Sequence, residues 1–201
     1  MVKIKAQRKL NCKNNLAIKL GLIGITIFII LTIIAIITYP NYNFYEQYLS
    51  ELGIGNTAIT FNLGIIISGL LLIPLFVFHY KPKEFFAQLI CFIGTASMIF
   101  FIGVGVFPLT NSRAHMFTAG LFFILITMTI IIALIEFIKS KNLIKINYAT
   151  KLFFILICAL ATVITIIYLI IETPAWQKLA FITIGIFSIS WMLINLVRTR
   201  K

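Results

Sequence analysis

The stretch LGLIGITIFIILTIIAIITY, residues 20–39, decides the fold of this chain. It holds twenty residues without a charge. A helix of that length, rising 1.5 Å per residue, crosses the roughly 30 Å hydrocarbon core of a bilayer. Backbone groups in lipid must be hydrogen-bonded within their own segment, so this stretch predicts a membrane-spanning helix.

Five further apolar stretches follow the first one. They cover residues 58–79, 85–106, 113–138, 152–171 and 175–197. The chain of 201 residues is 61% hydrophobic and only 11% charged, a composition that excludes an ordinary soluble domain. The ten-residue alternation typical of β-barrel strands is absent. The sequence therefore predicts an all-α membrane protein, a six-helix transmembrane bundle within residues 20–198.

The positive charges predict the orientation of the bundle. All but two of the 17 Lys and Arg residues fall in the N-terminal tail, the second and fourth gaps and the C-terminus. Arg113 and Lys178 are the two on the other side. The positive-inside rule then places a basic tail (1–19) and the C-terminal residues 199–201 in the cytoplasm of a cell-membrane protein.

This topology also accounts for the formal net charge of +12, without nucleic acid as a partner. The basic tail is expected to lie along anionic lipid head groups. The three cysteines, Cys12, Cys91 and Cys158, form no disulfide framework. Two His residues, no Asp and no Cys pair at ligand spacing predict neither a metal site nor a cofactor.

The longest outward-facing loop predicts a short interfacial helix. Residues 43–53, NFYEQYLSELG, offer Asn43 as an N-cap and Gly53 as a stop. In a helix, the aromatic and leucine side chains would fall on one face and the polar side chains on the other. Glu46 in this loop and Lys178 in the last span are interpreted as solvated residues.

Polar residues of three outward-facing segments are expected to gather into one pocket. The candidates are Ser50, Glu51, Asn62, Arg113, His115 and Glu172. Arg113 either pairs with Glu51 to hold the loop or contacts a ligand. Ser50 lacks the GxSxG elbow of a serine nucleophile, so the sequence leaves enzymatic activity uncertain and favours a non-enzymatic function.

Small residues are concentrated in the second and third spans and predict close helix packing. They are Gly64, Ser68, Gly69, Gly94, Ala96, Ser97, Gly103 and Gly105.

Two blocks of sequence carry a family resemblance. Residues 48–53 (YLSELG), followed by 62–64 (NLG) and Gly69, form the first block. Residues 105–108 (GVFP), followed by 115–123 (HMFTAGLFF), form the second. In this order they resemble the domain of unknown function 998 family of small polytopic membrane proteins.

The resemblance implies a compact six-helix fold with shared polar residues on its outer side. It carries over Ser50, Glu51, Asn62 and His115, although Glu51 stands where an Asp is commoner in the family. It implies no established reaction.

Three classes of function stay open at this point. The first is an outward-facing polar pocket that binds or processes a lipid or another amphipathic ligand. The second is a permease for a small solute, and the third is a non-enzymatic partner that packs against another membrane protein or its own copies. A cavity open sideways to lipid would favour the first, a polar path to mid-membrane the second, and a closed bundle the third.

Overall fold

The computed structural model describes residues 2–79, 84–139 and 147–199, and the side chains of 14–79, 84–139 and 147–196. Six α-helices account for most of these residues. They are α1 (Val2–Thr38), α2 (Ala58–Val77), α3 (Phe85–Val106), α4 (Ser112–Lys139), α5 (Tyr148–Ile171) and α6 (Pro174–Thr199). All six contain a segment long and apolar enough to cross a membrane, which confirms the predicted spans. The first helix extends further than its span, back through the basic tail.

The helices form a closed ring in chain order. Each packs against the next along the chain, and α6 returns to pack against α1. Residues 39–57, here called the cap, connect α1 to α2 and lie at the same end of the ring as the α3–α4 and α5–α6 turns. This end is called the cap end below. The opposite end, where the described chain begins, is called the tail end.

Small residues allow the first four helices to approach closely. The Ser68 hydroxyl donates to the Gly24 carbonyl at 2.8 Å, joining α2 to α1. A Cβ added at Gly69 would lie 2.5 Å from Ile102, and one at Gly103 would lie 2.8 Å from Thr118. An interhelical hydrogen bond such as the one from Ser68 to Gly24 stabilises a membrane bundle by about 1 kcal/mol. The predicted packing role of these glycines is confirmed.

The interior of the ring is filled largely by aromatic side chains. Phe181 from α6 lies among rings of α1, α3 and α4, with centroids 5.2 to 6.4 Å away. Nearer the tail end, Trp191 stacks between Phe76 and Phe187. Such pairs add about 0.5–1.5 kcal/mol each beyond the area they bury. One apolar core therefore joins helices that are far apart in sequence.

A substitution at Gly94 tests this packing. Its added Cβ would lie 2.2 Å from the buried Phe76 ring, which is itself held by Trp191. We expect Gly94→Ala to destabilise the protein by about 1–3 kcal/mol, the usual cost of overpacking. The measurement is the thermal unfolding midpoint in detergent.

The control is Gly120→Ala, since no atom lies within 4 Å of a Cβ at that helical position. That change should leave the midpoint unchanged or raise it, because Ala favours the helix by about 1 kcal/mol over Gly. Equal midpoints for the two variants would contradict the packing argument.

Candidate functional site

The cap does not form the interfacial helix that the sequence predicts. It contains two short 3₁₀ turns instead, Leu49–Gly53 and Gly55–Thr57. A continuous helix would need the Leu49 amide for its own backbone, but that amide donates to the Gln177 side chain of α6 at 2.7 Å. The Glu51 carboxylate accepts from the Tyr48 amide at 2.7 Å and starts a new turn there. Side-chain acceptors thus replace the helical bonds.

The two turns fold down onto the bundle. Leu49 and Leu52 are buried beneath them, whereas Tyr45, predicted on the same face, is 78% exposed. The Asn62 amide of α2 donates to the Gly53 carbonyl at 3.0 Å. The Thr57 hydroxyl donates to the Leu52 carbonyl at 2.7 Å. Side-chain hydrogen bonds therefore hold the backbone of the cap against the bundle, with Leu49 and Leu52 buried beneath it.

Lys178 is the charged residue that the sequence interpretation places wrongly. It was expected to be solvated, but it is only 3% exposed. Its Nζ donates to the Gln47 carbonyl at 2.5 Å and also to the Phe44 carbonyl. It lies 4.5 Å from the centre of the Phe44 ring and 5.4 Å from that of Tyr42. Lys178 reaches under the cap rather than into water, because the cap offers it carbonyls and ring faces.

The surroundings make this burial tolerable for an ammonium group. Carbonyl oxygens and aromatic faces both attract a cation, and a desolvated cation–π contact is worth about 2 kcal/mol. Burial raises the pKa of Tyr42 to about 12, with the nearby charge of Glu51 and Tyr39 adding to the shift. The phenol therefore stays neutral at physiological pH. No carboxylate of the described residues lies within ion-pair distance of Lys178.

A cavity of about 450 Å³ begins beneath Lys178. Its wall is formed by α1, α2, α3, α4, α6 and the cap, mostly through Ile, Leu and Phe side chains. Phe44 and Leu49 close it at the cap end, and Phe76 lies at its deep end. The volume falls within the roughly 300–1,000 Å³ of small-molecule sites.

The cavity opens sideways between α1 and α6. Ile29 and Ile33 of α1, and Ile182 and Ile186 of α6, line it and stay 39–51% exposed. This exposure indicates an opening at the α1–α6 side of the cavity. The helix pair therefore forms a slot rather than a sealed wall.

The six residues predicted to form a polar pocket lie in different places, and none lines this cavity. Ser50, Glu51 and Asn62 lie together where the cap meets α2. His115 is buried, and its Nδ1 lies 2.8 Å from the Phe107 carbonyl in the α3–α4 turn.

The other two predicted residues are exposed. Arg113 makes no ion pair with Glu51 in the part of the chain that the structure describes. Glu172 ends α5 with a left-handed backbone, φ 51°, and its carbonyl accepts a hydrogen bond from the Tyr48 hydroxyl. Its contribution to the cap is through the backbone, not the carboxylate.

Sequence reasoning missed Lys178 and its neighbour Gln177. One signal was available: Pro174 begins α6, so Lys178 lies a full turn inside the span, where a charged residue needs a partner or a function. It also missed a polar pair at the tail end, where His79 Nε2 of α2 lies 2.9 Å from Glu136 Oε2 of α4. Both side chains come from loop-proximal positions, for which helix periodicity gives no pairing information.

Six helices that are each long and apolar enough to cross a membrane define this chain as a multi-pass integral membrane protein. It belongs to the family described as protein of unknown function (DUF998), whose model matches residues 22–199. No curated protein and no solved structure matches the chain.

Lys178→Ala tests how the cap is held. Removing the ammonium leaves the Phe44 and Gln47 carbonyls without their donor, so residues 42–50 should open more often. Hydrogen exchange of the amides in this segment should be about tenfold faster or more, since a charge-assisted bond is worth about 1.5–3 kcal/mol. Glu46→Gln, a change of an exposed side chain in the same segment, should leave the rates unaltered. Identical exchange in the two variants would show that Lys178 does not hold the cap.

Proposed function

We propose that this protein binds a membrane lipid or another amphipathic molecule in the cavity between α1 and α6. The observation that carries the proposal is an apolar cavity of about 450 Å³, lined by partly exposed isoleucines of α1 and α6, with a buried lysine at its cap end. An acyl chain gains about 0.8 kcal/mol for each CH₂ group removed from water. From within a membrane that gain is absent, so selectivity must come from shape and from the polar end.

The polar groups along the cavity argue against a solute permease. Ser68 and Ser188 line the cavity, but their hydroxyls donate to the backbone carbonyls of Gly24 and Ile184 at 2.8 Å. Lys178 and Thr32 lie in the half nearer the cap, and little polarity is left beyond them to coordinate a hydrated solute along this path. A lipid tail needs no such partners, and this favours the lipid over the solute as occupant.

Orientation is part of the proposal. We place the cap end outside the cell membrane and both termini in the cytoplasm, since the basic residues cluster at the tail end. The ligand would then enter sideways from the outer leaflet. The cap would cover its polar end.

Cavity filling tests the proposed site. Gly185 lines the cavity, and a Cβ added there would have no atom within 4 Å, so this position has room for a larger side chain. We expect Gly185→Phe to reduce a lipid-sized adduct by about tenfold in native mass spectrometry of protein released gently from its own membranes, equivalent to roughly 1.4 kcal/mol.

Gly120→Phe is the matched control, a helical glycine with equal free space that does not line the cavity. It should keep the adduct. A folded wild type without any adduct would overturn the proposal and make a membrane-protein partner the next hypothesis. Loss of the adduct from both variants would show that the ligand lies elsewhere.

Cysteine labelling tests the orientation. In a chain carrying Cys12→Ser, Cys91→Ala and Cys158→Ala, we expect Glu46→Cys to react with a membrane-impermeant maleimide on intact cells. Tyr148→Cys, 76% exposed at the tail end, should react only after the membrane is permeabilised. The reverse pattern would show that the cap faces the cytoplasm.

A further inference from the structure

Lys178 has one hydrogen-bond donor more than its described partners use. An ammonium group carries three N–H donors. Two of them are taken by the Phe44 and Gln47 carbonyls of the cap. The described residues offer the third no acceptor, although the residue is 3% exposed and lines the cavity. The Glu51 carboxylate acts on this charge electrostatically but lies beyond ion-pair distance, so the buried cation has no directly bonded anion among the described residues at this end of the cavity.

Thr32 adds a second incomplete group in the same wall. Its hydroxyl is buried, lines the cavity and has no hydrogen-bond partner. The other two threonines of α1 behave differently: Thr26 donates to the Leu22 carbonyl at 2.9 Å, and Thr38 to the Ile34 carbonyl at 2.8 Å. A Thr in a helix can donate its hydroxyl to the backbone carbonyl one turn earlier. The Thr32 hydroxyl does not make this bond, so it is available to donate to a group in the cavity.

Both groups lie in the half of the cavity nearer the cap. Lys178 is four residues inside the start of α6 at Pro174, about 6 Å at 1.5 Å per residue. Thr32 is six residues inside the end of α1 at Thr38, about 9 Å by the same rise. Ser68 and Ser188 lie below them and donate to backbone carbonyls, and the other lining side chains as far as Phe76 are apolar. The cavity thus has a polar end of two unsatisfied groups and a largely apolar remainder.

We infer that the ligand is an acidic ester lipid. This inference rests on the proposed function, and it adds the chemistry of the ligand's polar end. The oxyanion of the head group accepts the third N–H of Lys178, and an ester carbonyl accepts the hydroxyl of Thr32. The acyl chain lies among the Ile and Phe side chains beneath. A neutral lipid of the same shape would leave the Lys178 charge unpaired.

A competition between two lipids with the same acyl chains tests the head group. Purified protein is offered phosphatidic acid and diacylglycerol together, and the bound fractions are read by native mass spectrometry. Wild type should prefer phosphatidic acid by about tenfold or more, the range of one charge-assisted hydrogen bond. Lys178→Met should lose the preference but still bind either lipid. Lys178→Arg should restore the preference, because it keeps the charge.

Thr32→Val tests the ester contact separately. Both lipids carry the ester carbonyl, so this variant should weaken both to a similar extent and leave the preference intact. Its thermal midpoint without lipid should not fall, since the hydroxyl has no partner to lose. If Lys178→Met does not fold, the wild-type competition and Thr32→Val decide the question.

The outcomes separate this inference from the proposed function. Equal binding of the two lipids by wild type would overturn the acidic head group and leave the lipid cavity in place. Binding of neither lipid, by folded protein stripped of its own lipid, would overturn both. Displacement of phosphatidic acid by inorganic phosphate would show a site for free anions and overturn the lipid assignment.

Discussion

Lys178 carries a positive charge into a largely apolar bundle, and the structure at the cap end depends on how that charge is satisfied. The ammonium takes two carbonyls from one short stretch of the cap and lies over two of its rings. The neighbouring Gln177 takes the Leu49 amide of the same segment. Gln177 and Lys178, in one turn of α6, therefore fix the path of the cap, which lies much earlier in the chain.

Glycine residues distinguish a tightly packed part of the ring from an open part. Glycines of α2 and α3 bring four helices into contact through Leu31, Ile102, Phe76 and Thr118. Gly185 on α6 has no such neighbour, and the space that its missing side chain leaves belongs to the cavity. Glycine thus has two opposite uses in this fold. The glycines of α2 and α3 allow neighbouring helices to pack closely, whereas Gly185 leaves space at the cavity wall.

The spans could be predicted from sequence because length and hydrophobicity are properties of each segment alone. The interfacial helix could not, because its outcome depended on Gln177, which lies 128 residues from Leu49. The polar candidate residues lie at the cap end, but their mutual contacts depend on helix rotation. An apolar bundle reveals little about rotation in its sequence, since its hydrophobic residues occupy all faces. Arg113 and Lys178, both cations near a span boundary, accordingly ended one exposed and one buried.

The acceptors of Lys178 lie 134 and 131 residues before it in the chain. A ribosome makes the cap early and its anchor almost last, at about 5–20 residues per second. During most of synthesis the cap carbonyls have no donor, and the slot beside α1 has only one wall. Insertion of α6 completes both at once. Until α6 is inserted, the ring therefore stays unclosed and the cap lacks the contacts that hold it.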